Sequence, residues 1–112
     1  MPETTVWVRF TAERFHRWPD APQDSLHGHL ASMHRHLFHV EVAVLVDKPD
    51  RQVSFETLSA DADLAFDEVP YLSTMSCEEM AATVAETLRY RYPSLARVTV
   101  SEDGENGATW SA

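Results

Sequence analysis

Residues 34–46 read His-Arg-His-Leu-Phe-His-Val-Glu-Val-Ala-Val-Leu-Val, and this valine-rich pattern predicts a strand over about residues 35–46. Side chains two positions apart leave the same face of a strand, so His34 and His36 point to the same side as Phe38 and the even-numbered valines. Two neutral imidazoles on one face suit a metal ion such as Zn²⁺. An isolated His-x-His is more often a solvated strand end, so a metal site needs a third ligand.

The other face of this strand is more polar, because it carries Arg35, His39 and Glu41. We therefore expect one face to pack against the core and the other to be wetter.

Composition limits the class of protein. A chain of 112 residues is enough for one core, so we expect residues 1–112 to form a single domain. No apolar run approaches the length of a membrane span, and residues 1–5 lack the features of a signal peptide, so a cytoplasmic protein without a membrane partner is expected. The single cysteine, Cys77, excludes an internal disulfide and a multi-cysteine zinc site. With a net charge of −9 and no Lys/Arg cluster, nucleic-acid binding is not expected.

The remaining pattern predicts three more strands and two helices. Alternating residues predict strands at 6–10, 97–101 and 108–110, with a long loop from Phe15 to about Met33 that contains His16. Loose helical spacing predicts a helix at about 56–69, and a capping box formed by Ser76 and Glu79 begins a second helix that ends before Pro93. The order ββααββ predicts an α+β fold, a four-stranded antiparallel sheet with both helices on one face.

Four phrases follow one another along the chain: Phe10-Thr11-Ala12 followed by His16, then His34-Arg35-His36, then Ser76-Cys77-Glu78-Glu79, and finally Val98-Thr99-Val100-Ser101-Glu102. In this order they resemble the 6-pyruvoyl-tetrahydropterin synthase and 6-carboxy-tetrahydropterin synthase family, whose ββααββ unit is called the tunnelling fold.

The resemblance implies a site and an assembly. It implies that His16, His34 and His36 bind Zn²⁺, and that Glu102 grips the polar edge of a pterin- or purine-like ring. Without the resemblance, the sequence slightly favours Glu102 as a surface residue at a strand end. The phrase at residues 27–29, His-Gly-His, matches the family's histidine pair more literally, but no alternating strand follows it, so these are expected to be loop histidines or extra ligands. Family members build barrels from several copies, so a homo-oligomer is expected.

The chain also departs from the family pattern. The family carries a catalytic cysteine just before the histidine pair, where residues 29–33 contain none, and a Leu-Asp-His phrase between the helices, where residues 56–75 contain no histidine. The family's standard synthase activity is therefore not expected. Cys77 falls on the apolar face of its helix, where a lone cysteine usually serves as a small buried hydrophobe.

Two functional hypotheses remain open at this point. The first is a zinc-dependent lyase or hydrolase acting on a pterin- or purine-type ring, with His29 or His39 as the catalytic base. The second is a non-catalytic protein that binds or sequesters a pterin, purine or nucleotide-type ligand. The missing cysteine favours the second hypothesis, and the three histidines favour the first. A purely structural role through oligomerisation is a weaker third.

Overall fold

The computed structural model describes residues 2–48 and 50–112, which form one antiparallel sheet with two helices packed against it. The elements, in chain order, are β1 (Thr4–His16), β2 (His34–Val46), α1 (Phe55–Asp67), α2 (Cys77–Leu88), β3 (Leu95–Glu102) and β4 (Asn106–Ser111). The strands lie side by side in the order β1-β2-β3-β4, and every neighbouring pair is antiparallel. The predicted ββααββ order and the α+β class are confirmed.

Strand β1 is much longer than the predicted five residues, and this corrects the sequence analysis. It pairs with β2 without a break from Thr4 opposite Val46 to His16 opposite His34. The loop predicted from Phe15 therefore starts two residues later, and His16 is the last residue of a strand. Pairing with the long, apolar strand β2 extends β1 to His16, three residues before Pro19.

The other bounds differ by smaller amounts. Helix α1 ends two residues before the predicted position, and α2 ends at Leu88, well before Pro93. Strand β4 begins at Asn106, two residues before the predicted start at 108. Position 107 requires glycine because a Cβ there would collide with the Val100 carbonyl oxygen across the β3–β4 ladder.

The capping box predicted at the start of α2 is present. The Ser76 hydroxyl accepts from the Glu79 amide at 3.1 Å, and the Glu79 carboxylate accepts from the Ser76 amide at 3.3 Å. This pair fixes the first turn of α2 and the chain that enters it.

The core lies between the even-numbered face of β2 and the apolar faces of the two helices. On β2 the core residues are Phe38, Val40, Val42 and Val44. The helices contribute Leu58, Ala62, Phe66, Met80, Val84 and Leu88. The opposite face of the sheet is polar, with ion pairs from Arg9 and Arg97 to Glu41. The predicted division into a core face and a wetter face is therefore correct. Neither helix is long and apolar enough to cross a membrane, among the residues described.

Tyr92 connects the end of α2 to α1 through a short hydrogen bond. Its hydroxyl donates to Asp61 Oδ2 at 2.6 Å, and the side chain is only 8% exposed. Burial, together with the hydrogen bond to Asp61, raises the pKa of Tyr92 to about 12. The neutral phenol is therefore the form that the folded protein prefers.

We expect Tyr92→Phe to lower the free energy of unfolding near neutral pH by about 1–3 kcal/mol, because it removes a hydrogen bond to a charged partner. A raised pKa makes a contribution that is complete below the unfolded-state value of 10.0 and is lost as the pH rises towards about 12. The stability difference between wild type and variant should therefore shrink over that interval in urea unfolding experiments.

Tyr90→Phe is the matched control, because Tyr90 is 91% exposed. A difference between wild type and Tyr92→Phe that stays constant from neutral to alkaline pH would contradict this account of the hydrogen bond.

Candidate metal centre

Three histidines meet where β1 ends and β2 begins. His16 and His34 are directly opposite each other in the β1–β2 ladder, and His36 follows on the same face of β2. The ring centroids of His34 and His36 lie 4.6 Å apart, and each lies about 6 Å from that of His16. One nitrogen from each ring lies within 4.8 Å of the other two. The structure thus brings together the three residues that the sequence suggested as metal ligands.

Each of these rings is held by a hydrogen bond from one of its two nitrogens to an oxygen that can only accept. The bonds run from His16 Nε2 to the Met75 carbonyl (2.6 Å), from His34 Nδ1 to the Ser32 carbonyl (2.8 Å), and from His36 Nδ1 to Asp103 Oδ2 (2.7 Å). Since the bonded nitrogen must carry the proton, the other nitrogen of each neutral ring presents a lone pair. Metal-binding histidines are commonly fixed in this way.

Two of these free nitrogens are buried without a partner. His16 Nδ1 and His36 Nε2 have no hydrogen bond to any residue that the structure describes. An unsatisfied buried nitrogen costs about 1–3 kcal/mol. In addition, His36 Nε2 lies 3.4 Å from Glu102 Oε2, and a lone pair facing a carboxylate is favourable only with a cation or proton between them. The residues therefore fit a metal ion, and three imidazoles with an open position match the donor set of catalytic zinc.

His16 and His34 border a cavity of about 600 Å³, a volume within the range of small-molecule sites. Its wall includes His16, His34, Trp18, Cys77 and Glu102. Glu102 is the last residue of β3, and its side chain is 28% exposed, so the carboxylate can be reached from the cavity.

Cys77 is the first residue of α2 and contacts Glu102. Its sulfur lies 3.7 Å from Glu102 Oε1, and the residue is 6% exposed. Burial, followed by the charge of Glu102, raises the pKa of the Cys77 thiol to about 12. The side chain is therefore a neutral thiol near pH 7 rather than a thiolate nucleophile. Its burial agrees with the sequence analysis, whereas its position beside Glu102 was not anticipated.

The other histidines lie away from this cavity. His29 is exposed in a short 3₁₀ turn, Gly28–Ala31. His27, in the same loop, is held by Asp24 through a contact of 3.0 Å to its Nδ1. His39 points to the opposite face of the sheet, where it lines a separate cleft with Arg9 and Ser101. Within one chain, the two candidate bases are thus not assembled with the three histidines.

Asp103 lies between the strands predicted at 97–101 and 108–110, and the sequence analysis gave it no functional role. It begins the turn between β3 and β4, and its carboxylate accepts from His36 and from the Leu37 amide. These two hydrogen bonds, the Leu37 amide first, lower the pKa of Asp103, so the carboxylate stays ionised. The pairing of Glu102 with Phe38 would have revealed it, because the next residue along β3 then falls beside the start of β2.

The fold is similar to that of a solved structure, the 6-pyruvoyl tetrahydropterin synthase of Caenorhabditis elegans. The TM-score is 0.76 with 18% sequence identity, and the match covers 100% of this chain and 97% of that one. No protein-family model and no curated protein sequence matches the chain. The tunnelling fold implied by the four sequence phrases is therefore confirmed by the structure.

Proposed function

We propose that this chain, which shares its fold with a 6-pyruvoyl tetrahydropterin synthase, holds one zinc ion through His16, His34 and His36 and binds a pterin- or purine-type ring beside it. The observation that carries the proposal is the orientation of the three imidazoles. Each is hydrogen-bonded through one nitrogen, which leaves the other free, and one nitrogen of each ring lies within 4.8 Å of the other two. We further propose that residues 1–112 form one domain, because α1, α2 and all strands but β4 contribute to one buried cluster. We also propose that the protein is cytoplasmic.

Zinc, when bound by three imidazoles, would polarise an oxygen atom of the ligand or lower the pKa of a bound water. The chain's own contribution is to orient the ring. The Glu102 carboxylate can accept two N–H groups from the edge of a pterin or guanine, and such a charge-assisted pair fixes both position and direction. The Cys77 thiol then neighbours the bound edge.

The charge of the cavity argues against a heavily phosphorylated ligand. Asp20, Glu78, Glu79 and Glu102 line it, while Arg17 is the one Lys or Arg among the described residues of the lining. A triphosphate would meet mostly like charge on a chain whose net charge is −9. A neutral ring with several N–H donors suits this lining better.

We do not propose the standard synthase reaction for this chain. Cys77 is its only cysteine and is held as a neutral thiol, and residues 56–75 contain no histidine to act as a proton relay. A non-catalytic binding or sequestering role is accordingly the second candidate. The separation of His29 and His39 from the cavity favours it, because a lyase or hydrolase using either base would need that residue to come from another copy.

We expect purified protein to contain about one zinc per chain, with His34→Ala and His36→Ala each abolishing it, since each removes one of three ligands. Elemental analysis after dialysis measures this directly. His27→Ala is the matched control, because His27 is a neighbouring loop histidine whose ring contacts Asp24 instead. Retention of zinc by His34→Ala, with loss in His27→Ala, would show that the ligand pair is the other one.

We expect a free pterin or guanine to bind the zinc-loaded protein, and Glu102→Gln to weaken binding about tenfold or more, because the amide loses the charge and one acceptor. Calorimetry with either compound, and mass spectrometry of any co-purified ligand, measures this. Glu105→Gln is the control for charge in the same hairpin.

The synthase reaction itself is tested with dihydroneopterin triphosphate. Turnover at about 1 s⁻¹, a rate typical of enzymes, would contradict the proposal that this activity is absent.

In the binding experiment, equal affinity of wild type and Glu102→Gln for both ring compounds would contradict the proposed role of Glu102.

We also propose that several copies close into a barrel through the two edge strands, β1 and β4. Both edges present backbone groups that no strand of the described chain pairs, and β1 is thirteen residues long. A cleft of about 1000 Å³ runs between β1 and α1, where Trp7 is 48% exposed and Phe55 is 67% exposed. Joining β1 of one copy to β4 of the next would cover these edges, and repetition around an axis would close the assembly.

We expect light scattering at micromolar concentration to give the mass of several copies, each contributing 12.7 kDa. A stable monomer would contradict the barrel and would leave His39 facing solvent.

A further inference from the structure

We propose that Asp103 is a positioning residue of the metal centre, which fixes the His36 ring with Nε2 bare and thereby strengthens zinc binding. This inference rests on the proposed metal centre and adds to it a residue outside the three ligands. It concerns the turn between β3 and β4, which has no histidine or cysteine of its own.

The Asp103 side chain makes two contacts that together determine its position. Oδ2 accepts from His36 Nδ1 at 2.7 Å, and Oδ1 accepts from the Leu37 amide at 2.9 Å. The Asp103 amide in turn donates to the Leu37 carbonyl at 2.7 Å. The carboxylate is therefore tied to the backbone of β2 next to the ring that it orients, and it has little freedom to turn away.

Backbone conformation is compatible with aspartate at this position. Asp103 has a φ of 56°, in the left-handed region, and Gly104 follows at 71°. Asp-Gly is an ordinary pair for a hairpin turn with two positive φ values, and glycine at position 103 would also fit the turn. The reason to assign a role to the Asp103 side chain is therefore its two contacts with β2.

The bond to His36 acts on the nitrogen that faces the centre. With Nδ1 donating to a carboxylate, the proton is held on that side of the ring and the lone pair of Nε2 is directed inwards. A carboxylate partner also makes the ring a stronger base than a carbonyl partner does, and removal of such partners commonly lowers metal affinity 10–100-fold. His16 and His34 bond to carbonyls, so among the three ligands only His36 has this support.

Consecutive residues would then serve two neighbouring functions. Asp103 orients a ligand of the metal, while Glu102 presents its carboxylate to the cavity. The end of β3 would therefore set the distance between the metal and the ring edge.

The decisive variants are Asp103→Gly, which removes both side-chain contacts and relieves the left-handed backbone, and Asp103→Asn, which keeps one acceptor for two donors. Glu105→Gln is the matched control, because it removes one charge from the same turn without contacting His36. Nitrogen-15 NMR of the metal-free protein at mildly alkaline pH reports which ring nitrogen carries the proton. Competition with a chelator reports zinc affinity.

We expect the His36 proton to lie on Nδ1 in wild type and Glu105→Gln, and to be shared between both nitrogens in Asp103→Gly. Zinc affinity should fall about 10–100-fold in Asp103→Gly and less in Asp103→Asn. The metal-free variant should also melt at a lower temperature, because it loses the two side-chain hydrogen bonds of Asp103. If Asp103→Gly does not fold, Asp103→Asn decides the matter by the same two measurements.

Zinc affinity in Asp103→Gly within about twofold of wild type would overturn the role of Asp103 and leave the metal centre standing. Absence of zinc binding in the wild type would overturn the metal centre, and the proposal with it. A loss of affinity equal to that of Glu105→Gln would show a general charge effect and also overturn the proposal.

Discussion

The antiparallel ladder between β1 and β2 places the three histidines of the candidate metal centre. It pairs thirteen residues on each strand without a bulge, and its last rung joins His16 to His34. A slip of one residue would turn every side chain of β1 to the other face, so that His16 would leave the centre while Val8 and Ala12 left the core. The packing of those apolar side chains therefore fixes the position of the histidine. The geometry at the site therefore follows from core burial about 14–27 Å away along the same strand.

Strand β2 was predictable because two signals agree, namely the spacing of its histidine pair and the alternation of its apolar residues. The even-numbered positions of β2 run from two histidines into Phe38 and the valines, and this alternation gave the strand, its core face and the direction of the ligand pair. Strand β1 was only partly predictable. Its residues 11–16 lay outside the strand predicted at 6–10, and only the partner strand could show that pairing continues to His16. Tertiary pairing thus outweighed local preference.

Asp103 and Cys77 show a different limit of the sequence. Each contacts a residue far away in the chain: Asp103 contacts His36, and Cys77 contacts Glu102. Neither contact follows from local spacing. A turn residue with an acidic side chain is ordinary, and so is a cysteine on an apolar helix face. Only the register of β3 against β2 brings Asp103 to His36, and only the way α2 lies over the sheet brings Cys77 to Glu102.

The segment that leads into α2 connects the centre to the fold in a further way. The Met75 carbonyl accepts from His16, and the Ser73 carbonyl accepts from the Arg17 amide. Ser76 then begins the helix through its capping box. Whatever immobilises the His16 ring therefore also immobilises the start of α2, and fraying of that first helical turn would release the ring. If the candidate centre binds a metal as proposed, order at the helix start and occupancy of the centre would be linked equilibria, in which each state favours the other.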